Sequence, residues 1–321
     1  MAAWTVSDIP SQRGRAAVVT GTGGLGFQDA LALARAGADV IIAGRNPLKG
    51  TAAVDRIRQS VPGANVAFEL LDLASLDSIK SFAGNLRRSR DSLDLLINNA
   101  AVMTPPKRLA TTDGFELQFG TNYLGHFALT GQLLPLLRKG DKPRVVTLSS
   151  VAARSAAINF DDLQARRSYK PMPAYGQSKL ACLMFALELQ RRSDTAGWGI
   201  QSIAAHPGIS RTDLLPNGAG TWSAPGIVRR YLWFLFQPAD QGALPTLFAA
   251  TSPQARAGAY YGPDKLSETR GYPVPALIPP QALDTASAAR LWDESERLTG
   301  TVYPAGEGRK FPEAAGKGVN P

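Results

Sequence analysis

The chain has 321 residues, 44% hydrophobic and 19% charged, enough apolar content to bury a sizeable core and to exclude wholesale disorder. Its formal net charge is +9, but the basic residues are scattered rather than blocked, so the surface reads as solvated and no nucleic-acid partner is expected. A single cysteine, Cys182, excludes an internal disulfide, and with only His126 and His206 beside it no metal site is expected.

Short apolar runs begin at Arg15, Ala38, Asn65, Leu93, Arg144 and Ile200. Most are rich in Val and Ile and apolar on both faces, as strands of a parallel sheet covered on both sides read. Helical spacing occupies the segments between them, at roughly 25–36, 47–60, 75–90, 113–138 and 176–197. Strict alternation of strand and helix implies crossover connections and a doubly wound α/β sheet. Further on, residues 209–238 carry five Gly or Pro before Tyr231 and then an aromatic patch, Tyr231–Phe236. Helices are expected at 239–251 and 284–299, the second with Ala286, Ala289, Leu291, Trp292 and Leu298 on its apolar face. The expected organisation is one domain over 1–304, with a small helical cap at about 209–238, and an irregular tail over 305–321.

The first strand runs into Thr20-Gly21-Thr22-Gly23-Gly24-Leu25-Gly26, with a helix immediately after it. A tight glycine turn between strand and helix aims backbone N–H groups and a helix N-terminus at one spot, where a pyrophosphate can approach closely. The second strand ends in Gly44-Arg45-Asn46, without the carboxylate that would bond a ribose 2′-hydroxyl. Arg45, assisted by Asn46 and Lys49, suits a 2′-phosphate instead, so the expected cofactor is NADP(H) rather than NAD(H). Tyr175 and Lys179 stand at i and i+4, on one face of a helix. A cation one turn from a phenol favours the phenolate and is expected to pull its pKa down.

These motifs together resemble the short-chain dehydrogenase/reductase family. The matching residues are the Thr20–Gly26 turn, Asp72-Leu73, Asn98-Asn99-Ala100-Ala101, Asn122, Ser149-Ser150, Tyr175 with Lys179, and His206-Pro207-Gly208 followed by Thr212. The run at 122–126, the segment Ile158–Leu163 and the long gap from Ser150 to Tyr175 look most like the branch with retinol dehydrogenases, protochlorophyllide reductases and WW-domain oxidoreductases. A run such as Tyr260–Asp264 is seen in bacterial members of that branch.

The resemblance implies a Rossmann fold and hydride transfer to hydrophobic, bulky ketones or aldehydes, reversible as alcohol oxidation. It implies Tyr175 as general acid and base, Ser150 as hydrogen-bond donor to the substrate oxygen, and Lys179 as the group that tunes Tyr175 and holds the nicotinamide ribose. It implies that Asn122 anchors a water leading to Lys179. The implied cofactor contacts are Gly21, Thr22, Gly24, Leu25, Gly26, Arg45, Asn46, Asp72, Leu73, Asn99, Ala100, Ala101, Tyr175, Lys179, Pro207, Gly208 and Thr212. Two departures stand out: the glycine turn is a residue shorter than the family pattern, and Ala101 takes the place of a common glycine. Ser149, His126 and His206 read as structural hydrogen-bonding groups, and Cys182 as a small buried hydrophobe.

Leu214, Leu215, Trp222, Tyr231 and Trp233 are candidate substrate contacts. The Tyr231–Phe236 patch can be a lid, packed core or a membrane-surface helix flanked by Arg229 and Arg230. Six residues are far short of the ~20 needed to span a bilayer, and the N-terminal stretch lacks the apolar core of a signal peptide, so the expected location is cytoplasmic. A homo-oligomer, dimer or tetramer, is expected through the helices at 113–138 and 176–197. Alternatives are a retinoid- or steroid-type membrane-surface dehydrogenase, a sugar-nucleotide epimerase or dehydratase, whose third turn glycine would fall at Phe27, and a catalytically silent NADP-binding regulator.

Overall fold

A computed structural model describes residues 3–210 and 237–305. The seven parallel strands are β1 (Ala16–Thr20), β2 (Asp39–Gly44), β3 (Val66–Leu70), β4 (Leu95–Asn98), β5 (Arg144–Leu148), β6 (Gln201–Ala205) and β7 (Tyr260–Lys265). An eighth, β8 (Arg270–Pro275), returns antiparallel to β7. The sheet order is β3-β2-β1-β4-β5-β6-β7-β8. The helices are α1 (Gly24–Arg35), α2 (Pro47–Ser60), α3 (Leu76–Ser89), α4 (Gly125–Leu137), α5 (Pro171–Ala196), α6 (Ala239–Thr251) and α7 (Thr285–Thr299).

Alternation along the strands divides the core between the two faces of the sheet. Val18, Ile41, Leu96 and Val145 point into one layer with Phe82, Phe127 and Phe185, while Val19, Ile42, Ile97 and Val146 point into the other with Phe27, Leu33 and Phe248. β3 is an edge strand, and its Leu70 is 58% exposed, so this run is not covered on both faces as its composition implies.

Three boundaries differ from the sequence reading in instructive ways. The segment at 113–138 holds a π-helical stretch, Phe119–Leu124, before α4 begins. α5 starts at Pro171, where a proline at the first turn loses no intrahelical hydrogen bond. The buried face of α7 is Ala288, Leu291, Trp292 and Ser295; Leu291 and Trp292 are as expected, Leu298 packs half-buried against the core, and only Ala286 of the expected stripe lies exposed.

α7 lies across α5, and its Trp292 ring packs against Phe127 at 5.0 Å and Phe185 at 5.8 Å between centroids. Tyr303 closes over the same cluster, 4.5 Å from Trp292, and donates its hydroxyl to Phe127 O at 2.7 Å. α7 and Tyr303 thus pack on part of the α4–α5 surface expected to pair two copies. Of the expected cap at 209–238 only Ile209, Ser210, Gln237 and Pro238 fall within the described residues; of the tail at 305–321, only Ala305 does.

Candidate active site

The site gathers where the parallel strands end. β1 stops at Thr20, and a short turn leads into α1 through Gly23, an extended N-cap residue with no side-chain capping bond. A Cβ on Gly21 would sit 2.8 Å from Asn99 Nδ2, and one on Gly26 would sit 2.6 Å from it. These two glycines thus make room for Asn99, whose Nδ2 donates to Thr20 O at 2.7 Å. Gly23 is exposed with open space around its Cβ position, and Gly24 has φ 53°. The uncapped start of α1 therefore opens to solvent at Gly23, which sequence reasoning left out because four glycines in one turn do not announce which of them is packed.

Thr22 packs its Cγ2 over Gly44 at the end of β2, 2.7 Å from where a Cβ would stand. Arg45 follows, exposed and without a hydrogen bond among the described residues. Asn46 spends its Oδ1 capping α2, accepting from Lys49 N at 3.0 Å. Asp72 Oδ1 accepts from Ala74 N at 2.9 Å, and Leu73 is buried with its backbone against Gly125 of α4. Leu73 is thus a packing residue as much as a wall of the cleft.

The Thr20 hydroxyl accepts from Asn99 N at 2.9 Å and Ala100 N at 3.0 Å, and lies 2.9 Å from His126 Nε2. The other ring nitrogen, Nδ1, is 2.8 Å from Asn122 O. A carbonyl only accepts, so Nδ1 carries the proton and Nε2 accepts from Thr20. Burial holds His126 down to about 4, so it stays neutral. Ala101 is half-buried beside this network.

Asn122 sits in the π-helical stretch. Its Oδ1 accepts from Val102 N at 2.7 Å, and its Nδ2 donates to Val102 O at 2.9 Å and Ser178 Oγ at 3.0 Å. Ser178 Oγ in turn donates to Tyr175 O at 2.7 Å, which ties Asn122 to the turn of α5 bearing Tyr175 and Lys179. The Asn122 carbonyl accepts from His126 and from Cys182 Sγ at 3.2 Å. Both its lone pairs are then engaged, so a water on that oxygen must displace the weak thiol donor.

Ser150 caps the short helical turn Val151–Ser155, its Oγ accepting from Ala152 N at 3.2 Å, and it lies near enough to Tyr175 to lower the phenol's pKa. Ser149 donates to Lys179 O at 2.8 Å, a structural bond as expected. Tyr175 is buried, and burial pushes its phenol up to about 12 while Ser150 pulls it back. The direction is opposite to that expected of Lys179. The Lys179 ammonium turns instead to Leu148 O at 3.0 Å, and its charge bears on Cys182 and His126 rather than on the phenol. With one protein acceptor among the described residues for three N–H donors, this buried ammonium is fit to hold a further hydroxyl pair. Together with the uncapped α1 N-terminus, it fits the demands of a dinucleotide cofactor.

His206 follows the end of β6 and leads into Pro207 and Gly208, half-buried at the same edge. Thr212, Leu214, Leu215, Trp222, Tyr231 and Trp233 lie outside the described residues. A cleft of about 520 Å³ opens beside the Ser150 turn, lined by Ala152, Ala156, Met172, Pro173 and Ala174 among others.

A parallel sheet with helices on both faces, a glycine turn at β1 and a Ser–Tyr–Lys group at the strand ends define a dinucleotide-dependent oxidoreductase of the short-chain type. The short chain dehydrogenase family model matches residues 15–219, and the chain belongs to that family. Mouse polyprenol dehydrogenase is 39% identical over 299 residues, 91% of this chain and 86% of that protein. Human retinol dehydrogenase 13 is 39% identical over 305 residues, 93% of this chain and 88% of that protein. Among solved structures, an uncharacterized protein from Mycobacterium Paratuberculosis is 40% identical with TM-score 0.78, covering 94% of this chain and 100% of that one. The Pseudomonas aeruginosa RhlG/NADP active-site complex is 25% identical with TM-score 0.62, covering 78% of this chain and 94% of that one.

Proposed function

We propose that the protein is an NADP(H)-dependent oxidoreductase that reduces hydrophobic, bulky ketones or aldehydes and oxidises the matching alcohols in reverse. The observation that carries the reading is the buried Tyr175 phenol, with Ser150 close enough to lower its pKa against burial and Lys179 one helical turn away at the strand ends. The α1 N-terminus at Gly23 and Gly24 would receive the pyrophosphate, and Arg45 the 2′-phosphate. Asn99 and Ala100 would run beside the adenosine, with Pro207 and Gly208 at the nicotinamide end. NADPH, when bound, supplies the hydride.

The chain's own residues supply the proton and the alignment. A phenol pushed up to about 12 is protonated at neutral pH, so Tyr175 holds the proton that a reduced carbonyl oxygen needs. The Ser150 hydroxyl, half-buried beside it, stabilises charge developing on that oxygen. Asn122, through Ser178, fixes the turn of α5 that carries both Tyr175 and Lys179. The substrate class draws on the two relatives named for polyprenol and retinol, whose names describe long apolar alcohols.

NADPH oxidation screened over small, bulky aliphatic and aromatic carbonyls, with retinal included and NADH run alongside, tests the reading. Turnover is expected to favour bulky apolar carbonyls and NADPH. A preference for NADH would defeat the 2′-phosphate role of Arg45, and turnover of sugar nucleotides alone would defeat the substrate class.

A further inference from the structure

β7 and β8 are joined by a turn in which Leu266, Ser267 and Glu268 have φ of 50°, 54° and 65°. Three successive non-glycine residues in the left-handed region are unfavourable, and such a run persists only where its surroundings hold it. Glu268 supplies the hold. Its Oε2 accepts from His206 Nε2 at 2.9 Å and pairs with the Arg154 guanidinium, while its Oε1 accepts from Leu277 N at 3.0 Å. Arg154 also donates to Ser267 O at 3.1 Å.

The tautomer of His206 follows from its neighbours. Nδ1 accepts from Gly208 N at 3.2 Å, so the ring proton sits on Nε2 and points at Glu268. Burial keeps His206 below its ordinary value, and its neighbours hold Glu268 down to about 2, which makes this a neutral imidazole on an ionised carboxylate. The turn also touches the next loop directly. Ile209 N donates to Thr269 O at 2.8 Å, and a Cβ on Gly208 would stand 2.3 Å from that same oxygen. One carboxylate therefore fastens three loops: the turn after Ser150 through Arg154, the Pro207–Gly208 peptide through His206, and its own hairpin.

We propose that Glu268 is a positioning residue for the reaction, setting the Pro207–Gly208 peptide at a fixed spacing from Ser150. The nicotinamide end of a dinucleotide and the hydroxyl that meets the substrate oxygen are then held as one unit. This rests on the reading of the cleft as an NADP(H) site. Neither the glycine turn nor Arg45 takes part in the network, so the adenosine end does not depend on Glu268.

The left-handed φ of Glu268 provides a clean variant. Glu268→Gly deletes the carboxylate while relieving the backbone at that residue, and Glu268→Gln keeps one acceptor oxygen, enough for either His206 Nε2 or Leu277 N but not both, and gives up the charge that pairs with Arg154. Dissociation constants for NADPH and for 2′,5′-ADP, which has an adenosine end and no nicotinamide, are measured by fluorescence titration alongside kcat. Glu268→Gly is expected to weaken NADPH binding about tenfold and to lower kcat about tenfold, while 2′,5′-ADP stays within about twofold; Glu268→Gln falls between. NADPH binding and kcat both within about twofold of wild type would overturn the proposal, as would equal loss of both ligands, the mark of general loosening. Wild-type protein that binds neither ligand would instead overturn the NADP(H) reading itself, and the inference with it.

Discussion

Asp29 in α1 is fully buried, and neither carboxylate oxygen has a hydrogen-bond partner among the described residues. Burial alone raises its pKa well above 3.8, with no compensating charge. A carboxyl whose folded pKa is raised contributes stability below its unfolded pKa and loses it as pH rises towards the folded value. Asp29→Ala should therefore raise unfolding free energy by about 1–3 kcal/mol at pH 8, with the gain shrinking towards pH 4. Urea melts at the two pH values check this; an equal effect at both would mean that the carboxyl is not the source. At the same scale, Tyr175 shows that an i, i+4 cation need not reach its neighbour. Its helical placement beside Lys179 was plain in the sequence, but the acceptor that draws Lys179 away, Leu148 O, lies 31 residues off and leaves no local pattern.

At the scale of elements, most of the architecture was legible because parallel strands buried on both faces must be continuous apolar runs. β1, β2, β4, β5 and β6 all fit that rule. β7 and β8 did not announce themselves, since Pro263, Gly271, Pro273 and Pro275 interrupt them and β8 lies at the edge, where such residues are tolerated. The π-helical stretch before α4 was equally silent, because a shift of backbone bonding leaves no trace in side-chain period. The Glu268 network joins three loops and has no spacing of its own to detect. α7 was foreseen, though not its position against α5, where Trp292 is 1% exposed and stacked among Phe127, Phe185 and Tyr303. Trp292→Ala should cost about 3–5 kcal/mol in chemical denaturation, because a cavity of that size between α4, α5 and α7 cannot collapse fully. A cost below about 1 kcal/mol would show that α7 contributes little to this core.

At the scale of the whole molecule, the sheet sets the chemistry by placing unlike loops side by side. The glycine turn after β1, the Asn99–Ala100 stretch after β4, Ser150 after β5 and Pro207–Gly208 after β6 come from distant parts of the chain, yet all sit at the carboxyl ends of adjoining strands. α5 then brings Tyr175 against Ser150 from outside the sheet. No helix among the described residues is long and apolar enough to cross a membrane. The central claim is that the Tyr175 hydroxyl delivers the proton to the substrate oxygen, and Tyr175→Phe tests it most directly by removing one oxygen from an otherwise intact site. With NADPH and the best carbonyl from the screen, kcat should fall by about 10²–10⁴ while NADPH binding stays within about twofold of wild type. A variant that keeps the wild-type kcat would contradict the account.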